Sequence, residues 1–181
     1  MSGTTELKGH GVTLRPFVED DARYMYLNWA CDDEVTKYLT WPTHKSPLDT
    51  QNVVNMWVDS YKNDDNYQWA IVPDSVGQPI GSISVVHIDK AVNRAEVGYC
   101  IGRKWWHQGI TSRALALVID YLFKTGFDKV SARHDVRNPV SGLVMKKCGM
   151  TYEGTLRRSE INNCGICDVA YYSILKEEYN I

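Results

Sequence analysis

Residues 94–126 constrain this chain more than any other stretch. Val97, Tyr99 and Ile101 lie on one face of a period-two run, which predicts a strand. Gly102 and the basic pair Arg103-Lys104 interrupt it. The period then changes. Leu115, Val118, Ile119 and Leu122 recur at i, i+3, i+4 and i+7, the apolar stripe of a helix that ends near Gly126. The joint is Trp106-His107-Gln108-Gly109-Ile110-Thr111-Ser112. A helix start leaves about four backbone N–H groups without intrahelical partners, and its dipole favours an anion. Gly109 has no side chain, so a phosphate can approach the main chain there. Taken alone, the same joint also fits an ordinary strand–turn–helix that binds nothing.

The 181 residues suffice for one domain, residues 1–181, with a sizeable core. A formal net charge of −2 argues against a nucleic-acid-binding surface. No apolar run reaches the roughly 20 residues of a membrane helix. The first residues lack the apolar stretch of a signal peptide, so the cytoplasm is expected. There are five cysteines, an odd number, and reduced thiols are the expectation in that compartment. Cys164-Gly-Ile-Cys167 has no second close Cys or His pair to complete a zinc site. It also lies in a turn before a strand rather than at a strand–helix joint, so no metal or redox role is expected.

Residues 1–10 read as loosely held. A strand is predicted over 12–17, then a helix from Glu19-Asp20-Asp21 to about Ala30. Val35, Tyr38, Leu39 and Trp41 suggest a short helix entering a loop at Pro42. These aromatics fit a flap packed on the core better than a substrate grip. Helix follows over 48–62, then strands at 67–72 and 80–88 around turn chemistry at 73–77. After the central helix come a strand at 129–135 and a helix opened by Asn138-Pro139 and closed by Gly149. Val140, Leu143, Val144 and Lys147/Cys148 mark the expected inner face of that helix. Strands at 150–156 and 169–175 flank a polar excursion over 157–168. The order is mixed α/β.

This order and its motifs resemble the GCN5-related N-acetyltransferases (GNAT), over residues 12–175, and most closely their RimJ/RimL-type subgroup. The resemblance rests on Thr13-Leu14-Arg15-Pro16 with Glu19-Asp20-Asp21, on Ile80-Gly81-Ser82-Ile83, and on Ala95-Glu96-Val97-Gly98-Tyr99 with Trp105-Trp106-His107-Gln108-Gly109. Asn138-Pro139-Val140-Ser141 with Lys146-Lys147-Cys148-Gly149-Met150 completes it. It implies a single α/β (α+β) GNAT-like domain. The implied sheet is mixed, mostly antiparallel, of about seven strands, splayed between the fourth and fifth and flanked by about four helices. It also implies acetyl-CoA as co-substrate, without a metal. The acceptor would be a primary amine, in this subgroup the N-terminal α-amine of a ribosomal protein, attacked directly in a ternary complex. A small amine such as a polyamine or aminoglycoside is the alternative acceptor. A non-catalytic relative that binds acyl-CoA or a partner is the alternative to an enzyme. A homodimer fits the exposed strand edges.

Two departures stand out. The family's pyrophosphate loop, Arg/Gln-x-x-Gly-x-Gly/Ala, matches strictly only at Gly109, and Thr111 crowds its last position. Met145 stands where many relatives carry a Tyr that protonates the leaving thiolate, and Met cannot donate a proton. Cofactor contacts are expected from Tyr99, Cys100 and Ile101, from the loop Gln108, Gly109, Ile110, Thr111 and Ser112, and from Asn138 and Ser141. A backbone N–H near residues 99–101 is the candidate oxyanion donor. Asn138 would hold the pantetheine, although Asn-Pro is also an ordinary helix start. Ser141 is the candidate acid, although a first-turn Ser often makes only local bonds. Glu160 and Glu96 are the candidate bases, and each is also a candidate ion-pair partner. An α-amine titrates near 7.7–8.0 and lysine near 10.4, so a modest base suits the former. His107 lies beside the loop.

Overall fold

The computed structural model describes residues 3–179. One sheet of eight strands runs β1-β2-β3-β4-β5-β6-β8-β7 across the molecule. The strands are β1 (Leu7–Gly9), β2 (Val12–Arg15), β3 (Gln68–Pro73), β4 (Gly81–Asp89), β5 (Arg94–Ile101), β6 (Lys129–Asp135), β7 (Thr151–Asn162) and β8 (Gly165–Leu175). Neighbours pair antiparallel except β5 and β6, which run parallel. Parallel neighbours need a long crossover. Here the crossover holds α4 (Ile110–Lys124). The other helices are α1 (Ala22–Met25), continued by a π-helical turn over Tyr26–Ala30, α2 (Asp33–Thr36), α3 (Pro47–Ser60) and α5 (Pro139–Lys147).

The helices cover both faces of the sheet. Leu115, Val118, Ile119 and Leu122 are fully buried against Trp69, Ile71, Ile83 and Val130. Phe17, Met25, Trp29 and Val54 build a second core under α1 and α3 on the other face. Strand β3 lies between the two cores and buries all six of its residues. Ser46 caps α3 by accepting from the Asp49 amide, with Pro47 at the first helical position.

Five expectations are corrected. The sheet has eight strands rather than about seven, because Leu7–Gly9 pairs with Val12–Leu14 as an edge strand. The residues before it are tied down: Trp69 Nε1 donates to the Thr5 carbonyl at 2.7 Å and the Gln68 amide to Thr4 Oγ1 at 2.9 Å. Met1 and Ser2 lie outside the described residues. Among the described residues there are five α-helices where the resemblance implies about four, and the short helix read near Val35 is the single turn α2. The polar excursion 157–168 is mostly strand, the outer part of the β7–β8 hairpin, with irregularities between Tyr152 and Gly154 and between Leu156 and Glu160. Finally, α5 is rotated from its expected orientation. It buries Gly142 and Met145, while Val140 and Leu143 are exposed. The His134 ring packs so closely on this helix that a Cβ at residue 142 would stand 2.6 Å from its Nε2.

Candidate active site

The splay forms where β5 and β6 part. They share only the pairs Arg94–Lys129, Ala95–Val130 and Glu96–Ser131. Beyond Glu96, β5 keeps its β4 neighbour on one side only. The Gly102 amide donates toward β4, to the Ile80 carbonyl at 2.8 Å. Backbone groups alternate along a strand, so those of Val97, Tyr99 and Ile101 project into the gap. The Ile101 carbonyl is already occupied, because Trp106 Nε1 donates to it at 2.9 Å.

Two cavities meet at this gap. One, of about 460 Å3, runs along the 106–112 loop and α5. The other, of about 330 Å3, lies between β5, β6 and the β7–β8 hairpin. Tyr38, Leu39, Tyr99, Cys100, Asn138 and Ser141 line both.

The larger cavity suits a long anionic ligand. Gly109 caps α4 with φ 70°, and His107 also has a positive φ, of 60°. The first-turn amides of α4 face outward without intrahelical acceptors. Gly109, Ile110, Thr111 and Ser112 line the cavity, as does His107. Gln108 does not: its amide is turned back onto the Lys104 carbonyl at 3.0 Å. Ser112 Oγ likewise donates to the Gly109 carbonyl at 2.9 Å. The side chains therefore shape the loop and the main chain is left to bind. Lys147, which sequence reasoning missed, lies 3.6 Å from where a Gly109 Cβ would stand and has no ion-pair partner among the described residues. Val140, Leu143 and Val144 line the same cavity. Of the stripe expected to face the core, Val140 and Leu143 instead form an exposed apolar wall, while Val144 and Cys148 also pack against the core.

At the junction, Ser141 Oγ donates to the Tyr99 hydroxyl at 3.1 Å, and that hydroxyl donates to the Ser141 carbonyl at 2.9 Å. Burial pushes the Tyr99 phenol far above its ordinary value, only partly offset by the Ser141 bond. Burial also raises the Cys100 thiol, which lies 3.4 Å from Ser82 Oγ. Asn138 precedes α5 but its side chain makes no capping bond, so its amide remains available to the cavities. Met145 is buried in the core and is removed from the chemistry by position as well as by type.

The smaller cavity brings both candidate bases onto one guanidinium. Arg133 on β6 pairs with Glu96 on β5 and, through Nε, with Glu160 Oε1 at 2.5 Å. Tyr171 donates to the same Glu160 oxygen at 3.3 Å. Nearby, Asp135 accepts from the Arg137 amide and guanidinium and from Asn162 Nδ2 at 2.7 Å. Burial alone would raise its carboxyl, but these donors outweigh it and hold it down at about 2. Gln68 lines the cavity with its Nε2 buried and without a partner among the described residues. Residues Tyr38, Leu39, Thr40 and Trp41 close it from above. The aromatic segment expected on the core is therefore half-buried over the cavities, although one side of Trp41 does reach the second core. Arg133, Gln68 and Lys147 carried no signal for a site role, since the groups each one meets there are distant in the chain.

Among the described residues no group of three or more His, Cys, Asp or Glu side chains is placed to hold a metal ion. All five cysteines are free thiols. Among the described residues no helix is long and apolar enough to cross a membrane.

Comparison with known proteins agrees with the fold. The uncharacterized N-acetyltransferase p20 of Bacillus licheniformis is 29% identical over 169 residues, covering 93% of this chain and 94% of its own. The ribosomal-protein-serine acetyltransferase of Escherichia coli (strain K12) is 33% identical over 95 residues, 52% of this chain and 53% of its own. The crystal structure of a GNAT-family acetyltransferase from Bacillus anthracis superposes with a TM-score of 0.84 at 25% identity, over 96% of this chain and all of that one. The acetyltransferase (GNAT) domain family matches residues 12–151, well over half of the chain. Acetyltransferases of this family use acetyl-CoA. The chain belongs to the GNAT family and is an N-acetyltransferase enzyme.

Proposed function

We propose that the protein acetylates the α-amine of a protein N-terminus, in the manner of the RimJ/RimL-type subgroup, by direct attack in a ternary complex. One observation carries this reading: both carboxylates that could serve as base are bound to Arg133. Their charge is neutralised in part, and Asp135 is neutralised by Arg137. Such a cavity holds little net charge for a polycation. It suits an amine that is already partly neutral near pH 8, as α-amines are and lysines are not.

Acetyl-CoA supplies the thioester. The α4 amides and Lys147 would hold its phosphates. The open edge of β5 would receive the pantetheine as an added strand, with Asn138 beside it. An N–H of residues 99–101 would donate to the developing oxyanion. The amine enters past Glu96 and Glu160, which accept its proton directly or through water. Ser141, oriented by its hydrogen bond to the Tyr99 hydroxyl, supplies a proton to the departing sulfur and regains one from solvent after product release. Cys100 stands at the junction as a thiol whose proton is held by burial, which disfavours an acetyl-cysteine route.

The test is acetyl-CoA turnover on N-terminal peptides, lysine peptides, polyamines and aminoglycosides. Wild type is run beside Ser141→Ala, Glu160→Gln and Glu96→Gln. Peptide α-amines are expected to turn over fastest. Ser141→Ala and at least one Glu variant should lose about tenfold or more in kcat. Preference for a polyamine would overturn the acceptor assignment. Unchanged kcat in all three variants would overturn the roles.

A further inference from the structure

The roof of the smaller cavity is held by a segment far away in the chain. Residues 36–41 carry Tyr38 and Leu39, which line both cavities, and Thr40 and Trp41, which line only the smaller. Between α2 and α3 this segment has no strand neighbour to satisfy its carbonyls. The turn of the β7–β8 hairpin supplies the donors instead. Asn163 Nδ2 donates to the Thr36 and Trp41 carbonyls, each at 2.8 Å, and its amide donates to the Leu39 carbonyl at 3.2 Å. Cys164 Sγ donates to the Lys37 carbonyl at 3.3 Å. Four carbonyls of one short segment are thus bound by two consecutive residues.

The same turn is fixed to the cavity floor. Asn162, next to Asn163, donates to Asp135, and Glu160 on the same strand binds Arg133. The hairpin end therefore joins the roof to the charged wall beneath it, while Asn163 itself lines neither cavity.

We propose that Asn163 is a positioning residue that latches the 36–41 roof over the acceptor cavity and thereby sets the affinity for the amine. This rests on the smaller cavity being the acceptor site. Alanine removes both side-chain donors, leaves the Trp41 carbonyl unpaired and leaves the Thr36 carbonyl with the Leu39 amide alone. Aspartate places an acceptor against the same carbonyls and repels them. Loss of the latch raises the population of the open roof. Thr40 and Trp41 touch only the acceptor side, so KM for the amine should respond more than KM for acetyl-CoA. The cofactor keeps its contacts along the 106–112 loop and Lys147.

The experiment compares wild type, Asn163→Ala and Asn163→Asp by steady-state kinetics and by limited trypsin cleavage. Cleavage after Lys37 reads the roof directly, and cleavage after Lys62, in the loop beyond α3, serves as the internal reference. The latch predicts that Lys37 cleavage relative to Lys62 rises about tenfold in both variants. KM for the amine should rise about five- to tenfold, with kcat and the acetyl-CoA KM within about twofold of wild type. Unchanged Lys37 cleavage overturns the latch. Faster cleavage with an unchanged amine KM overturns its role in acceptor binding. A fall in kcat alone, or equal rises in both KM values, also overturns it, because either marks a general loosening. If wild type acetylates none of the amines, the acceptor-site reading fails, and the cleavage ratio alone decides whether the latch exists.

Discussion

Replacing Gly109 by alanine tests whether the α4 start is a phosphate site or only a joint. Two effects separate cleanly there. Gly109 has φ 70° and ψ 8°, the left-handed region. An L-residue there costs about 1–2 kcal/mol, and the stiffer unfolded chain returns part of that. The new methyl meets Lys147 Nζ at 3.6 Å and Ser112 Oγ at 3.9 Å, ordinary contact distances, so no clash is added. A net loss of about 1 kcal/mol in a chain of this size lowers Tm by about 2–4 °C. The second effect acts on the ligand. The methyl sits between the loop backbone and the Lys147 ammonium, where a phosphate oxygen would come in. Losing one charge-assisted hydrogen bond, about 1.5–3 kcal/mol, raises the acetyl-CoA KM about 10- to 150-fold. Gly77→Ala is the matched control: it has the same φ of 70°, no neighbour within 4 Å, and lies in the β3–β4 connection. Thermal melts and steady-state kinetics on both variants decide. Equal Tm losses with a raised acetyl-CoA KM only in Gly109→Ala support the site. An unchanged KM in Gly109→Ala refutes it and leaves the loop as a structural joint.

Lys147→Met should raise the acetyl-CoA KM about three- to tenfold and flatten its dependence on ionic strength, with kcat and Tm nearly unchanged; kinetics at low and high salt check this. Asp135→Asn should destabilise the fold at pH 7 by about 1–2 kcal/mol, discounted for the partly exposed Arg137. Because the Asp135 carboxyl is depressed to about 2 in the fold, that stabilisation is present above about pH 4 and disappears as pH falls through about 2. The gap between wild-type and variant melting temperatures should therefore close over that acid range.

Much of this fold was legible because it depends on local patterns. The 3.6-residue stripe of α4 gave four residues that are all fully buried. The change of period at Gly102 located the joint between β5 and α4 without any knowledge of what lies across from it. What stayed hidden depends on contacts between distant residues. Leu7–Gly9 is too short to show a period, and becomes a strand only because β2 offers it an edge. The α5 apolar stripe was read as core because hydrophobicity does not say whether a ligand or the protein covers a face. Arg133 was invisible as the link between Glu96 and Glu160, since their joint pairing needs β5, β6 and the β7–β8 hairpin to assemble in one sheet. The roof segment was assigned to the core because its anchor, Asn163, lies more than 120 residues away.

The position of the site follows from one change of strand direction. Up to β5 the sheet is a meander, and each strand satisfies its neighbour along its length. β6 must run parallel to β5, so the chain crosses over through α4 and the two strands pair for only three residues. Two helices then begin at the same end of the sheet: α4 follows β5 and α5 follows β6. Their first turns face the place where the ladder stops, as expected where neighbouring strands diverge in an α/β sheet. The unpaired β5 backbone, the α4 amides and the Asn138–Ser141 turn therefore converge without any motif to direct them. A sheet whose β5–β6 ladder continued past Glu96 would satisfy these groups internally and leave nothing to bind an extended ligand. In the proposed reading the acceptor is selected separately, by the Arg133 ion pairs below the gap and the Asn163-held roof above it. Substitutions in 106–112 should thus change cofactor affinity while leaving amine preference intact, and substitutions at Arg133 or in the roof should do the reverse.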